Sequence, residues 1–312
     1  MSSQKIAIGV DIGGGHIKSA AVDLSDNTII KESISDSPVD NQASSEVILS
    51  VWGKTIQNTI SQIGMENLNG IGFGVPGPFD YVSSVALFKN VLKYEGLYNV
   101  NVGAQIRDIL GLPDDIPVRF INDATAFALG EDWVGKGADY SRVTALALGT
   151  GLGSAFIHDG IPVVNGDLVP EIGAVWHLPF KENIANDYIS TNWFIKEYEK
   201  ISGDRLPGVK EVAELYDEHP EVQNLFNDYG RNLGEILSSW LLKFQTEVVI
   251  LGGNISRAFP LFQSGLQEVL NAESVSVRVE ISDLMEDAAL LGAARLIDDN
   301  YFKKVYPTLK YM

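Results

Sequence analysis

GVDIGGGHIK, residues 9–18, sets an acid and three consecutive glycines between two apolar runs. KIAIGV (5–10) leads in and IKSAAVDL (17–24) leads out, so the stretch reads as strand, turn, strand. Glycine admits positive φ and lets a ligand approach the backbone, because no Cβ stands in the way. Successive N–H groups in such a turn can converge on a phosphate oxygen. A carboxylate beside phosphates is repelled unless a cation lies between them. Asp11 is therefore a candidate Mg2+ contact, direct or through water, with Gly13, Gly14 and Gly15 as amide donors. Lys18 on the following strand can neutralise charge there if it points inward. A solvated acid in a mobile hairpin turn reads equally well from this stretch alone.

Further along, the pattern returns. VTALALGTGLGSAFIHDG (143–160) is again strand, glycine turn, strand, and Gly151 and Gly153 match Gly13 and Gly15 at a common offset. Here Gly149, Thr150, Gly151 and Gly153 repeat the phosphate logic, with the Thr150 hydroxyl as an extra donor. GxxxxGK[ST] is absent, and no GxGxxG opens a helix at either turn, so neither is one of the better-known phosphate loops. Two such hairpins facing one another across a cleft can hold a polyphosphate from both sides.

Other motifs carry a chemical and a bland reading each. IND (121–123) ends a strand, VRFI, where side chains project into a crevice. Asn122 can hold a hydroxyl, and Asp123 can accept the proton of a sugar hydroxyl attacking phosphorus. From the local pattern alone, Asp123 reads more readily as the cap of the helix predicted over 123–131. LGGNIS (251–256) follows a buried strand, and Gly252 and Gly253 give flat access for a base or ribose, or form a plain strand-to-helix turn. GVPGPFD (74–80), with Gly77, can wall a polar pocket. Glu171 in VPEIG can bind hydroxyls bidentately, or lie in solvent. The four histidines show no metal-ligand spacing.

The whole chain bounds these choices. Its 312 residues suggest two domains. Lys and Arg number 23 against 41 Asp and Glu, a net charge of −18, which argues against a nucleic-acid partner. There is no cysteine, hence no disulfide, thiolate nucleophile or cysteine-ligated zinc. No run approaches a membrane span, and no targeting segment is recognisable, so a cytoplasmic protein is expected. NTIIKES is predicted as a third strand after the first hairpin. Residues 43–63 are predicted helical, with Val47, Val51, Thr55, Ile56, Ile60 and Ile63 on one face. Helices are also predicted near 101–110, over 186–200 and 222–243, and over DAALLGAARLI (287–297), whose small residues suit close packing. The domain boundary is expected near residues 120–140, giving domains 1–122 and 123–312, with the C-terminal helix packing back on the first.

GVDIGGGHIK, GVPGPFD, INDATAFALGE, LALGTGLGSAF, VVILGGNIS and LLGAARL stand in the order found in the ROK family of repressors, open-reading-frame proteins and sugar kinases. The chain resembles that family from about residue 5 to 297. The resemblance implies an actin-like (ribonuclease H-like) ATPase fold: two α/β domains with mixed five-stranded sheets around a cleft. It also implies transfer of the ATP γ-phosphoryl to a hexose with Mg2+, and a homodimer. Asp11 and its glycines match the first phosphate motif, where Gly15 replaces a usual threonine. Residues 149–153 match the second phosphate motif and 251–254 the adenosine motif. Asn122 and Asp123 match the sugar-binding pair, the aspartate resembling the catalytic base.

The departures lie on the sugar side. Glu171-Ile172-Gly173 is followed by Ala174 where histidine is usual, and the family's zinc cysteines are missing, so no zinc is expected. A second register puts His177 in the histidine's place. NDYIS (186–190) puts Asn186 where a sugar-binding glutamate is common, with Asp187 beside it. The resulting expectation is an ATP-dependent, glucokinase-like enzyme with hexose and nucleotide as its ligands. The alternatives are a polyphosphate-dependent glucokinase and a catalytically silent sugar-binding protein. A repressor of this family carries an N-terminal helix-turn-helix, for which a strand starting near residue 5 leaves no room.

Overall fold

The structure, a computed structural model, describes residues 5–312. By packing, the chain divides into two compact units. One holds residues 5–135 with 160–162 and 286–312; the other holds 136–159 and 163–285.

In the first unit, β1 (Ile6–Ile12) and β2 (His16–Asp23) form an antiparallel hairpin. Asp11 pairs with Lys18 and Ile12 with Ile17, which leaves the three glycines as the turn. The predicted third strand shrinks to β3 (Thr28–Ile29). Residues Lys31–Ser33 turn as a 3-10 helix instead. The Ser33 hydroxyl accepts from the Ala21 amide at 2.8 Å and donates to the Ile30 carbonyl at 2.6 Å, so it replaces the ladder locally. β4 (Ser35–Pro38) then pairs with β2; its SDSP sequence has no apolar alternation to announce it.

α1 (Ser45–Ile63) covers this sheet. It buries Ile48, Leu49, Trp52, Thr55, Ile56, Thr59 and Ile60, whereas Val47 of the predicted stripe is 51% exposed. The buried face is therefore rotated one residue along. β5 (Leu68–Val75), α2 (Val102–Leu110), β6 (Val118–Asn122) and α3 (Asp123–Val134) follow. The sheet order is β3–β2–β1–β5–β6, with β4 also on β2, so this sheet has six strands where five were expected. β1, β5 and β6 are parallel, and their register sets Asp11 beside Gly74 and Val75 beside Asn122. All three motifs thus end on one edge of the sheet.

The second unit repeats the plan. β7 (Arg142–Leu148) and β8 (Leu152–His158) form the second hairpin. α4 (Thr191–Ser202), α5 (Val209–Ala213) and α6 (Pro220–Phe244) lead to β9 (Val248–Gly252), α7 (Phe259–Ala272) and β10 (Arg278–Ile281). The order β8–β7–β9–β10, with a two-residue edge strand making five, matches β2–β1–β5–β6 in direction and pairing. Its core is aromatic: Phe194 and Tyr229 lie 4.7 Å apart between ring centroids, with Trp193, Phe226 and Phe262 around them.

α8 (Asp287–Arg295) and α9 (Asp299–Leu309) return to the first unit. α8 lies against backbone: a Cβ at Gly9 or Gly72 would overlap the carbonyls of Leu290 or Ala293, and one at Gly130 or Gly292 those of Ala288 or Ala126. The small residues of 287–295 are thereby explained, and α3 is held in the first unit by the same packing. The sequence reading put the boundary at 122/123; the compact units part after Gly135. No helix of the described residues is long and apolar enough to cross a membrane.

Candidate active site

The first glycine turn is fixed through its carbonyls. The Tyr94 hydroxyl donates to the Gly13 carbonyl at 2.6 Å, the Asn41 side-chain amide to the Gly14 carbonyl, and the Val39 amide to the Gly15 carbonyl at 2.9 Å. A trans peptide points each C=O opposite to the next N–H. Pinning the carbonyls of Gly13 and Gly14 therefore turns the amides of Gly14 and Gly15 the other way, and neither makes a hydrogen bond among the described residues of the unit. Amides so presented form an anion-binding concavity.

Asp11, at the end of β1, is half-buried beside this turn. Its pKa is pushed up to about 7, by burial first and then by the charges of Asp123 and Glu286, with Lys18 acting in the opposite sense. Lys18 points inward but is not free. Its ammonium lies 3.0 Å from Asp287 and 3.5 Å from Glu286, at the start of α8. Burial works against its charge, yet these two carboxylates outweigh that and raise its pKa.

The IND pair has a division of labour that the sequence does not announce. Asn122, not Asp123, caps α3: its Oδ1 accepts from the Thr125 amide at 3.1 Å. Its Nδ2 donates to Asp123 Oδ1 at 3.0 Å and meets the Tyr81 hydroxyl at 3.4 Å. Asp123 Oδ1 also accepts from the Ala124 amide at 2.9 Å. One carboxylate oxygen is thus held by two donors, and Oδ2 makes no hydrogen bond among the described residues of the unit. Burial pushes the Asp123 pKa up, against the pull of Lys93 and of these hydrogen bonds. Tyr81 donates to the Val75 carbonyl at 3.0 Å, which ties GVPGPFD, with exposed Gly77, to the same corner.

In the second unit the Gly149 carbonyl accepts from both the backbone amide of Thr191, at 2.9 Å, and its hydroxyl, at 3.0 Å. The Gly149 amide donates to the Gly151 carbonyl at 3.1 Å, and the Leu152 amide to Asn186 Oδ1 at 2.9 Å. The amides of Thr150 and Gly151 are left without a partner in the unit, while Gly153 is already in the β8 ladder. Gly252 pairs with Ala147 in register. Gly253 has a φ of 77°, and a Cβ there would overlap the Leu148 backbone, so only glycine brings this turn against the start of the 149–151 turn. Next to both opens a cavity of about 370 Å3, lined mostly by apolar residues such as Val209, Ala213, Ile255 and Leu261, with Thr191, Asn254, Lys210 and Arg257 as its polar members. Thr191 belongs to the turn and to the cavity at once.

Glu171 sits exposed in a 3-10 turn, Glu171–Gly173, whose Ile172 has a left-handed φ of 57°. For a β-branched residue that is a strained backbone. His177 has a buried Nδ1 without a partner and packs edge-on to Trp176. Asp187 is exposed, and the Asn186 amide donates to the Trp176 carbonyl at 3.0 Å, joining 186–190 to 171–177. Tyr94, Asn41, Thr191 and Lys93 escaped the sequence reading. Tyr94 acts 81 positions from Gly13, and no local pattern marks such a pairing.

Each unit is thus an α/β unit headed by a glycine hairpin with two spare amides, and the first also carries the acid pair. The ROK family model matches residues 7–300, and the chain belongs to the ROK family. A glucokinase of Thermotoga maritima is 28% identical, over 94% of this chain and 97% of that protein. An N-acetyl-D-glucosamine kinase of Pectobacterium atrosepticum is 24% identical, over 82% and 86%. A ROK glucokinase of Streptomyces griseus, solved with glucose and AMPPNP, superposes with a TM-score of 0.72 at 21% identity, over 93% and 98%.

Proposed function

We propose that this chain is a sugar kinase that transfers the γ-phosphoryl of ATP to a hexose hydroxyl, with Asp123 as general base. The observation that carries this reading is the state of the Asp123 carboxylate. Asn122 and Ala124 hold Oδ1, and Oδ2 is open to take a proton. The acceptor hydroxyl gives its proton to Oδ2 as its oxygen bonds to the γ-phosphorus. The bond from that phosphorus to the bridging oxygen breaks, and ADP leaves with the electron pair. A raised pKa suits a carboxylate that must accept a proton near neutral pH.

Asp11 fits a divalent cation, since crowding by burial, Asp123 and Glu286 already disfavours its charge. Mg2+ bound there, with phosphate oxygens and water completing its shell, would neutralise charge on the donor's phosphates. The amides of Gly14, Gly15, Thr150 and Gly151 are assigned to phosphate oxygens, and the apolar cavity beside Thr191 to the adenine. Glu171, His177 and Asp187, with Gly77 and the free capacity of Asn122, are assigned to the sugar. The names of the relatives support a hexose or an amino sugar as acceptor.

The test is a panel of glucose, mannose, N-acetylglucosamine and N-acetylmannosamine with ATP or polyphosphate, read as phosphosugar. ATP-dependent product with at least one hexose is expected. Product with polyphosphate alone would overturn the assignment of the cavity to adenine, and no product with either donor would overturn the enzyme reading.

A further inference from the structure

We propose that Asn186 is a positioning residue that sets the second glycine turn for phosphate and couples it to the acceptor-binding segment 171–177. This rests on the kinase reading above.

Asn186 is a cross-link between three pieces of chain. Its Oδ1 takes the Leu152 N–H at 2.9 Å, and its own backbone amide is held by the Trp176 carbonyl at 3.0 Å. A Cβ at Gly151 would stand 2.9 Å from the same Oδ1, so the side chain lies directly against the turn. Holding the Leu152 N–H fixes the plane of the Gly151–Leu152 peptide. The Gly151 carbonyl must then point the opposite way, which is where it meets the Gly149 amide at 3.1 Å. Release of Asn186 frees that plane to flip, and the flip breaks the bond that closes the turn. The outward aim of the Thr150 and Gly151 amides depends on that bond and on Thr191.

The residue type follows from the charge nearby. An acceptor oxygen is needed for the Leu152 N–H, and a carboxylate would supply one. It would also set a negative charge against the phosphates this turn is to hold. An amide gives the oxygen without the charge. On its other side Asn186 hangs from Trp176, within a segment whose Ile172 is held at a strained, left-handed φ of 57° while 37% exposed. Strained backbone is held in place by its surroundings, so a ligand that engages Glu171 beside it changes what holds Ile172 there. Any shift reaches Leu152 through two hydrogen bonds. Acceptor binding therefore tightens nucleotide binding, and by linkage the reverse holds equally.

The experiment measures AMPPNP affinity with and without saturating glucose in the wild type, Asn186→Ala and Asn186→Asp. The ratio of the two affinities is the coupling factor. In the wild type it should exceed one clearly, on the order of fivefold or more. Asn186→Ala should bind AMPPNP about tenfold more weakly, with the factor near one. Asn186→Asp keeps an oxygen for Leu152, so it should retain the factor while losing affinity through charge. A merely structural role would lower stability and both affinities but leave the factor unchanged. A wild-type factor of one, an unchanged factor in Asn186→Ala, or its loss in Asn186→Asp overturns the proposal with the kinase reading intact. A wild-type protein that binds neither probe overturns both.

Discussion

The two glycine turns are built alike and surrounded differently. Each closes an antiparallel hairpin at the head of a sheet of the same order, and each has its carbonyls tied and two amides spare. The first stands among carboxylates: Asp11, Asp123 and Glu286. The second has Gly149 in the place of Asp11, carries a hydroxyl, Thr150, one residue on, and adjoins a largely apolar cavity. One backbone device recurs with different neighbours, and the proposed reading gives the first turn the cation and the proton transfer and the second the base.

That contrast can be broken most severely at its acid. Asp11→Asn should lower kcat by about a hundredfold or more, because the proposed cation contact would be lost, whereas Thr150→Ala should cost only about threefold in kcat/KM. Steady-state kinetics over a Mg2+ series measure both; equal effects would erase the distinction between the turns. A smaller effect should follow Thr191→Val, which removes one of the two donors on the Gly149 carbonyl and should raise the KM for ATP by about fivefold with kcat little changed. Tyr94→Phe removes the hydroxyl on the Gly13 carbonyl and should act on the Mg2+ requirement, by about threefold, more than on nucleotide affinity.

The same acid predicts a pH effect on stability. Asp11 has its pKa raised from 3.8 to about 7 in the folded protein. The folded state thus holds the proton more tightly than the unfolded chain. Its contribution is present in full below about pH 4 and is lost as pH rises to about 7. In chelator, thermal melting at pH 7.5 should show Asp11→Asn more stable than wild type by about 3 °C or more, with the gap closing toward pH 4. A gap that widens on acidification would contradict the crowding of carboxylates around Asp11.

The hairpins were legible because glycines between apolar runs leave few other readings, and their topology bears out the repeat that Gly13 and Gly151 hinted at. The close-packed α8 was legible in the small residues of DAALLGAAR, though the carbonyls of Leu290 and Ala293 that exclude a Cβ at Gly9 and Gly72 were not. The cap that the sequence offered at Asp123, as the alternative to a base, falls one residue earlier, on Asn122. Asp and Asn cap equally well, and only the backbone at 122, extended with φ −61° and ψ 141°, decides that Asn122 takes the role and frees Asp123. NTIIKES misled because Ser33 offers the backbone a local partner. Tyr94, Asn41 and Thr191 were invisible because each acts on a turn far off in sequence, through a bond that folding alone creates.

The central claim is that Asp123 takes the acceptor's proton while the nucleotide is held elsewhere. Asp123→Asn keeps the volume and an oxygen for the Asn122 and Ala124 donors but removes the base. Turnover with the best hexose, measured beside the dissociation constant for AMPPNP, should fall by about a hundredfold or more with the constant unchanged. Near-wild-type turnover, or a loss that follows nucleotide affinity alone, would contradict the claim.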